Sequence, residues 1–181
     1  MNYILPFLLA LSILSISLGC QAQIPANPVQ AVDSVELDRY LGVWYQQSFI
    51  PFRWQKADCG ELVTAEYSLN PQGKINVVNT CYADRDGREI KSQRKATAWP
   101  ADATNAKLKV QFFWPIKADY WIVKLDQARY SYTVVSEPTR EYLWILTRDK
   151  AIDKALYDEI VNWLKDNGWD TGKLVFTGSF K

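Results

Sequence analysis

The sequence predicts an all-β domain followed by a single helix. Short β-rich runs recur from Leu41 onward, turn residues separate them, and the one amphipathic helical pattern comes after the last run. The runs are 43–49, 62–69, 74–81, 90–98, 107–114, 119–125, 130–136 and 142–147. Eight strands at this spacing fit a sandwich or an up-and-down barrel. The run from Lys107 to Phe112 alternates most cleanly. Leu108, Val110 and Phe112 share one face and Lys107, Lys109 and Gln111 the other, so one face is dry and one wet. For the helix, Asp153 is the cap and Asn167-Gly168 the stop. Ile152, Leu156, Ile160, Trp163 and Leu164 form one apolar stripe, which should pack on the outside of the β structure. Lys173 to Phe176 adds a last short strand. No internal repeat or second domain is visible.

The first 32 residues carry no charged side chain. Within them Ile4 to Ile16 is apolar, shorter than the roughly 20 residues of a bilayer-spanning helix but suited to a signal-peptide core. We read residues 1–19 as a signal peptide (1–22 in the alternative), 20–34 as an extended tether containing Pro25 and Pro28, and 35–181 as the folded domain. Ser17-Leu18-Gly19-Cys20 resembles a bacterial lipobox, in which the cysteine is lipidated and becomes the N-terminus. Gln21 in place of Asp then implies the outer membrane. Cleavage after Ala22 would instead discard Cys20 and leave a soluble periplasmic or secreted protein.

Composition narrows the function. With 21 Lys+Arg against 20 Asp+Glu, the net charge of +1 gives no broad attraction for nucleic acid. The absence of histidine removes the usual general base, the usual zinc or haem ligand, and the Ser-His and Cys-His pairs. No catalytic residue, metal or cofactor is expected. In an oxidising compartment Cys59 and Cys81 form an even pair. The runs 63–69 and 74–79 flank the turn Asn70-Pro71-Gln72-Gly73, and residue 70 is the midpoint of the two cysteines. A hairpin centred there brings them face to face, predicting a disulfide.

Two blocks carry a family resemblance. Leu37-Asp-Arg-Tyr-Leu-Gly42-Val-Trp44-Tyr45 resembles the Gly-x-Trp signature of the lipocalins, and Tyr142-Leu-Trp-Ile-Leu-Thr-Arg148 resembles their last-strand block ending in arginine. The similarity is to the bacterial outer-membrane, apolipoprotein D-like subgroup, and runs from about residue 36 to 176. The middle Thr-Asp-Tyr block is not literal; Asp126 to Tyr132 takes its place. The resemblance implies an eight-stranded antiparallel up-and-down barrel with the helix packed outside. It also implies that Trp44 plugs the floor beside the bend at Gly42, with Arg148 lying over Trp44.

Such a barrel is wide enough for one small ligand. Alternation assigns the inner wall to Val63, Ala65 and Tyr67, to Ile75 and Val77, to Leu108, Val110 and Phe112, and to Trp121 and Val123, with Ala65, Ala96 and Ala98 leaving room. The expected partner is a fatty acid, a lysophospholipid or another small hydrophobic molecule, with a lipid anchor on Cys20 as the membrane contact. Phe49, Phe52 and Trp54, with Trp114 in a second aromatic turn, are placed at the open mouth. There they serve as a lipid guide, a membrane or partner contact, or a lid. An interaction module acting on a protein partner through these loops is the alternative to lipid binding. Head group and oligomeric state stay open, a homodimer included.

Overall fold

Residue alternation and short connections make each strand antiparallel to the one before it. The computed structural model describes residues 27–53, 55 and 59–181. In chain order the elements are α1 (Leu37–Tyr40), β1 (Gly42–Phe49), β2 (Leu62–Leu69), β3 (Ile75–Tyr82), β4 (Ile90–Pro100), β5 (Lys107–Phe113), β6 (Ile116–Leu125), β7 (Tyr132–Ser136), β8 (Leu143–Thr147), α2 (Lys154–Asp166) and β9 (Val175–Phe176). β1 pairs with β2 on one side and β8 on the other, which closes strands β1 to β8 into an up-and-down barrel. Beyond the β1–β2 contact, Val175 and Phe176 of β9 pair with Phe49 and Ser48 of β1.

α1 and the loops at 101–106 and 126–131 close one end of the barrel. Val35 N–H donates to Thr104 O and the Arg39 guanidinium to Ala128 O. The loops at 50–61, 83–89 and 137–142 and the β5–β6 turn form the other, open end.

There are two cores. Inside the barrel, Trp44, Ile75, Ala98, Leu108, Ile122 and Leu146 pack with Tyr40 from α1. Outside it, Ile160 and Leu164 of α2 pack with Val134, Leu143 and Ile145 on the outer faces of β7 and β8. The Asp153 carboxylate accepts from the Ala155 and Leu156 N–H groups, which starts α2 where the chain leaves the barrel.

Several placements differ from the sequence reading. Trp121 and Val123 face outward, toward α2, and Tyr120 and Ile122 face the barrel interior. A bulge between Ile122 and Lys124 puts the extra residue Val123 on the helix side. Residues 27–34 do not act as a free tether. Val29 is buried in the outer core, Val32 N–H donates to Ile122 O, and the Asn27 carbonyl accepts from Arg140. The rest of the predicted tether and signal segment, Cys20 included, lies outside the described residues. The β2–β3 hairpin is centred two residues later than expected, so Cys81 faces Val63. Cys59 is bonded to Cys81 from the loop preceding β2, across a Cα–Cα distance of 5.6 Å.

Candidate ligand-binding site

The floor is built from α1, the start of β1 and the residue that follows β8. At Gly42 φ is +93°, which lets the chain turn from α1 into β1, and a Cβ there would meet the Arg148 guanidinium at 3.4 Å. Trp44 is fully buried and its indole N–H donates to Tyr40 O at 2.8 Å. Arg148 Cζ lies 3.8 Å from the Trp44 ring centroid. Its Nη1 donates to Val43 O at 2.8 Å, and its Nη2 reaches Arg39 O, Tyr40 O and Leu41 O at 2.7, 3.1 and 2.9 Å. One guanidinium thus covers the indole and gathers the carbonyls that end α1.

Above the floor stand three phenols. Tyr120 Oη lies 2.7 Å from Tyr40 Oη and 2.9 Å from Tyr67 Oη. Burial pushes all three phenol pKa values up, that of Tyr67 to about 12, so each keeps its proton at neutral pH. Tyr40 and Tyr120 were not singled out from the sequence. They come from α1 and β6, far from Tyr67 in the chain, and the only available signal was the even-numbered face of β6.

The wall changes character with height. In its lower part Tyr67, Ile75, Val77, Ala98, Leu108 and Val110 are buried together, and Ala65, opposite Trp44 on the β1–β2 ladder, belongs to this packed layer. Val63 is buried nearer the mouth. Higher up, the inner-face residues Ala96 and Tyr120 are only partly covered, and Ala118 is exposed. Phe112 does not continue the inner face of Leu108 and Val110 as the alternation predicts: a bulge between Val110 and Phe113 sets Gln111 and Phe112 together opposite Lys117, and Phe112 is 44% exposed. Arg94 continues the inner face of β4 above Ala96 and Ala98, opposite Asn79 of β3, and is exposed with no charged or hydrogen-bonding partner among the described residues. The lower barrel is therefore filled and its upper part is an open cup.

The mouth aromatics have different fates. Phe49 is completely buried at the end of β1, because a bulge at Gln47 changes the strand's register against β8. It is part of the wall and not an exposed rim residue. Phe52 packs edge-on against Tyr142 and Trp144, with ring centroids 5.0 and 5.7 Å away. Gln55 holds the same loop down, accepting from the Trp144 indole at 2.9 Å and donating to Gln46 Oε1 at 2.6 Å. Trp54 lies outside the described residues. Trp114 is 85% exposed at the β5–β6 tip, next to exposed Phe113 and Ile116.

Comparison with known proteins matches this architecture. The lipocalin-like domain family model covers residues 35–179. The chain is 34% identical over 148 residues to the outer membrane lipoprotein Blc of Vibrio cholerae, spanning 82% of this chain and 85% of that protein. It is 34% identical over 158 residues to apolipoprotein D of Macaca fascicularis, spanning 83% and 79%. Lobster apocrustacyanin A1 shares the fold at 20% identity, with a TM-score of 0.59 over 88% of this chain and 94% of that one. The chain belongs to the lipocalin family and is of the Blc and apolipoprotein D type.

Proposed function

We propose that this protein is an envelope lipid carrier that binds a monoacyl lipid in its cup, with the chain pointing down and the head group at the mouth. The observation that carries this reading is the contrast along the inner face. The lower layer is packed solid, whereas the small Ala96 and Ala118 above it leave the inner wall open. An apolar cleft with a few placed polar groups suits an amphiphile better than a polar metabolite. Arg94 and Asn79, on the inner face near the rim, suit an acidic head group, a carboxylate or a phosphate. Neutral phenols and the lack of histidine favour a binding protein over an enzyme.

Location follows the same reading. Similarity to a protein named outer membrane lipoprotein, together with Ser17-Leu18-Gly19-Cys20, supports Cys20 as a lipid anchor after removal of residues 1–19. The exposed tip of Phe113, Trp114 and Ile116 beside the mouth is suited to touch the bilayer from which a lipid is drawn.

The test is titration of delipidated protein with fatty acids and lysophospholipids, followed by tryptophan fluorescence and native mass spectrometry. Saturable one-to-one binding is expected, and Ala118→Trp, which fills the open level of the cup, should block it. Folded protein that binds none of these lipids would defeat the reading. Undiminished binding by Ala118→Trp would move the ligand out of the cup.

A further inference from the structure

Four of the exposed large hydrophobic side chains fall in one turn: Phe112, Phe113, Trp114 and Ile116 at the β5–β6 tip. Single exposed apolar residues are ordinary, but a contiguous group marks a contact surface. Cations flank this group on both sides. Lys117 follows it on β6, its Nζ 5.4 Å from the ring centroid of Trp99 on the outer face of β4. Next to the tip, the β4–β5 ladder stops at Thr97 and Gln111. Lys95 and Arg94 lie two and three residues beyond Thr97, as Phe113 and Trp114 lie beyond Gln111, so both cations stand at the height of the tip. Residues 90–100 and 107–118 together carry six cations and no carboxylate. The carboxylates that border them are Glu89, in the loop before β4, and Asp119, which holds Lys109 at 2.6 Å.

The N-terminal residues lead to the same end of the barrel. Val35 N–H donates to Thr104 O at the closed end, Val32 N–H to Ile122 O on β6, and Asn27 O accepts from Arg140 in the 137–142 loop at the mouth. Followed back toward Cys20, the chain thus climbs the outside of the barrel from floor to mouth. Seven residue steps separate Asn27 from Cys20, at most about 25 Å of extended chain, so an acylated Cys20 holds the mouth end close to its bilayer.

We propose that the β5–β6 tip and its cationic flank are a docking face for an anionic phospholipid bilayer. Trp114 and Ile116 enter the interface, where tryptophan is favoured, and Lys95 and Lys117 meet lipid phosphates. The use made of this face rests on the carrier reading above: docking sets the open inner wall at Ala96 and Ala118, with Arg94 beside it, next to the membrane that supplies the lipid.

The experiment uses the mature chain from residue 20 with Cys20→Ala, which removes the acyl anchor, and vesicles of phosphatidylcholine alone or mixed with phosphatidylglycerol. Cosedimentation at low salt should favour the mixed vesicles. Trp114→Ser, at an exposed position that leaves the fold intact, should weaken binding about tenfold or more. Lys95→Gln and Lys117→Gln should each weaken it about fivefold, whereas Lys165→Gln on α2 should not change it. Brominated acyl chains should quench the wild-type tryptophan signal more than that of Trp114→Phe. Lysophospholipid titrated without vesicles should bind Trp114→Ser as tightly as wild type, because the cup is untouched. Equal binding to both vesicle types, an equal loss in Lys165→Gln, or equal quenching in Trp114→Phe would overturn the docking face. So would a dimer in vesicle-free solution that Trp114→Ser dissolves, since the tip would then join two copies of the chain. A protein that docks but takes up no lipid from solution would overturn the carrier reading and leave the docking face standing.

Discussion

Replacing Arg148 by alanine uncaps the floor, and the cost can be worked out from its contacts. The side chain donates to four carbonyls, of which the bonds to Tyr40 O and Leu41 O are partly buried. Hydrogen bonds from a charged donor are worth about 1.5–3 kcal/mol each when fully buried; at this half-exposed guanidinium the two inner ones contribute about 1–1.5 kcal/mol each, and the two outer ones little because water replaces them. A cation 3.8 Å from an indole centroid adds about 1–2 kcal/mol. Arg148→Ala should therefore destabilise by about 3–5 kcal/mol, close to the cost of about 3–5 kcal/mol for Trp44→Ala, a fully buried aromatic. The two losses should not add, because each variant already breaks the shared contact. Urea unfolding of both single variants and the double variant, read by far-UV circular dichroism, should give a coupling of about 1–2 kcal/mol. Strict additivity would show that the guanidinium stabilises α1 without holding Trp44. Arg148→Lys should recover little, since an ammonium cannot span the fork of carbonyls.

Alkaline pH should unfold the protein through the phenol trio. Each folded pKa lies above the unfolded value near 10, so the stabilisation is whole below about pH 10 and is lost as pH climbs through 12 and beyond. The slope should approach three protons, about 4 kcal/mol per pH unit, and fall toward two in Tyr67→Phe; pH-dependent urea midpoints check this. Removing the Cys59–Cys81 bond by a double alanine replacement should cost at most about 3 kcal/mol, because the β2–β3 hairpin already closes most of that loop. Non-reducing peptide mapping should find the two peptides linked. Cys20→Ala should release the protein to the soluble periplasmic fraction, and intact-mass analysis of the wild type should show acyl mass on a chain beginning at Cys20.

Legibility in the sequence followed the contrast between faces. Lys107–Val110 has core on one side and water on the other, so its alternation was readable there, and it failed at Phe112, where a bulge before Phe113 breaks the phase. β6 lacks that contrast in its lower half, where Ile122 meets the barrel interior and Trp121 and Val123 meet α2. Both faces are apolar there, and the bulge at Val123 shifts the phase as well. Phe49 was misplaced for a similar reason, since nothing local in Gln46-Gln47-Ser48 announces the bulge that turns it. The hairpin of β2 and β3 was found, but the turn's centre was not, because Asn70 holds a longer loop by accepting from the Gln72 and Lys74 N–H groups. The phenol trio escaped altogether: its members are assembled by barrel closure, which no local pattern records.

Barrel closure also sets an order of events for the chain. β1 is the first strand made and the last to be satisfied. On one edge only Gly42–Tyr45 meet β2, and the rest of that edge waits for Val175 and Phe176, while on the other edge Tyr45 waits for Thr147. Pairings so distant in sequence are slow to form, and until they do, Gln46–Phe49 is an unpaired strand edge. The C-terminal residues thus act as a seal on the N-terminal strand. Ser179 O accepting from Ile152 N–H and Lys181 N–H donating to Ile152 O hold that seal against the start of α2. A chain released or cut before residue 175 would keep nearly all of its barrel, yet present the Ser48–Phe49 edge to other copies, so it should self-associate rather than simply unfold.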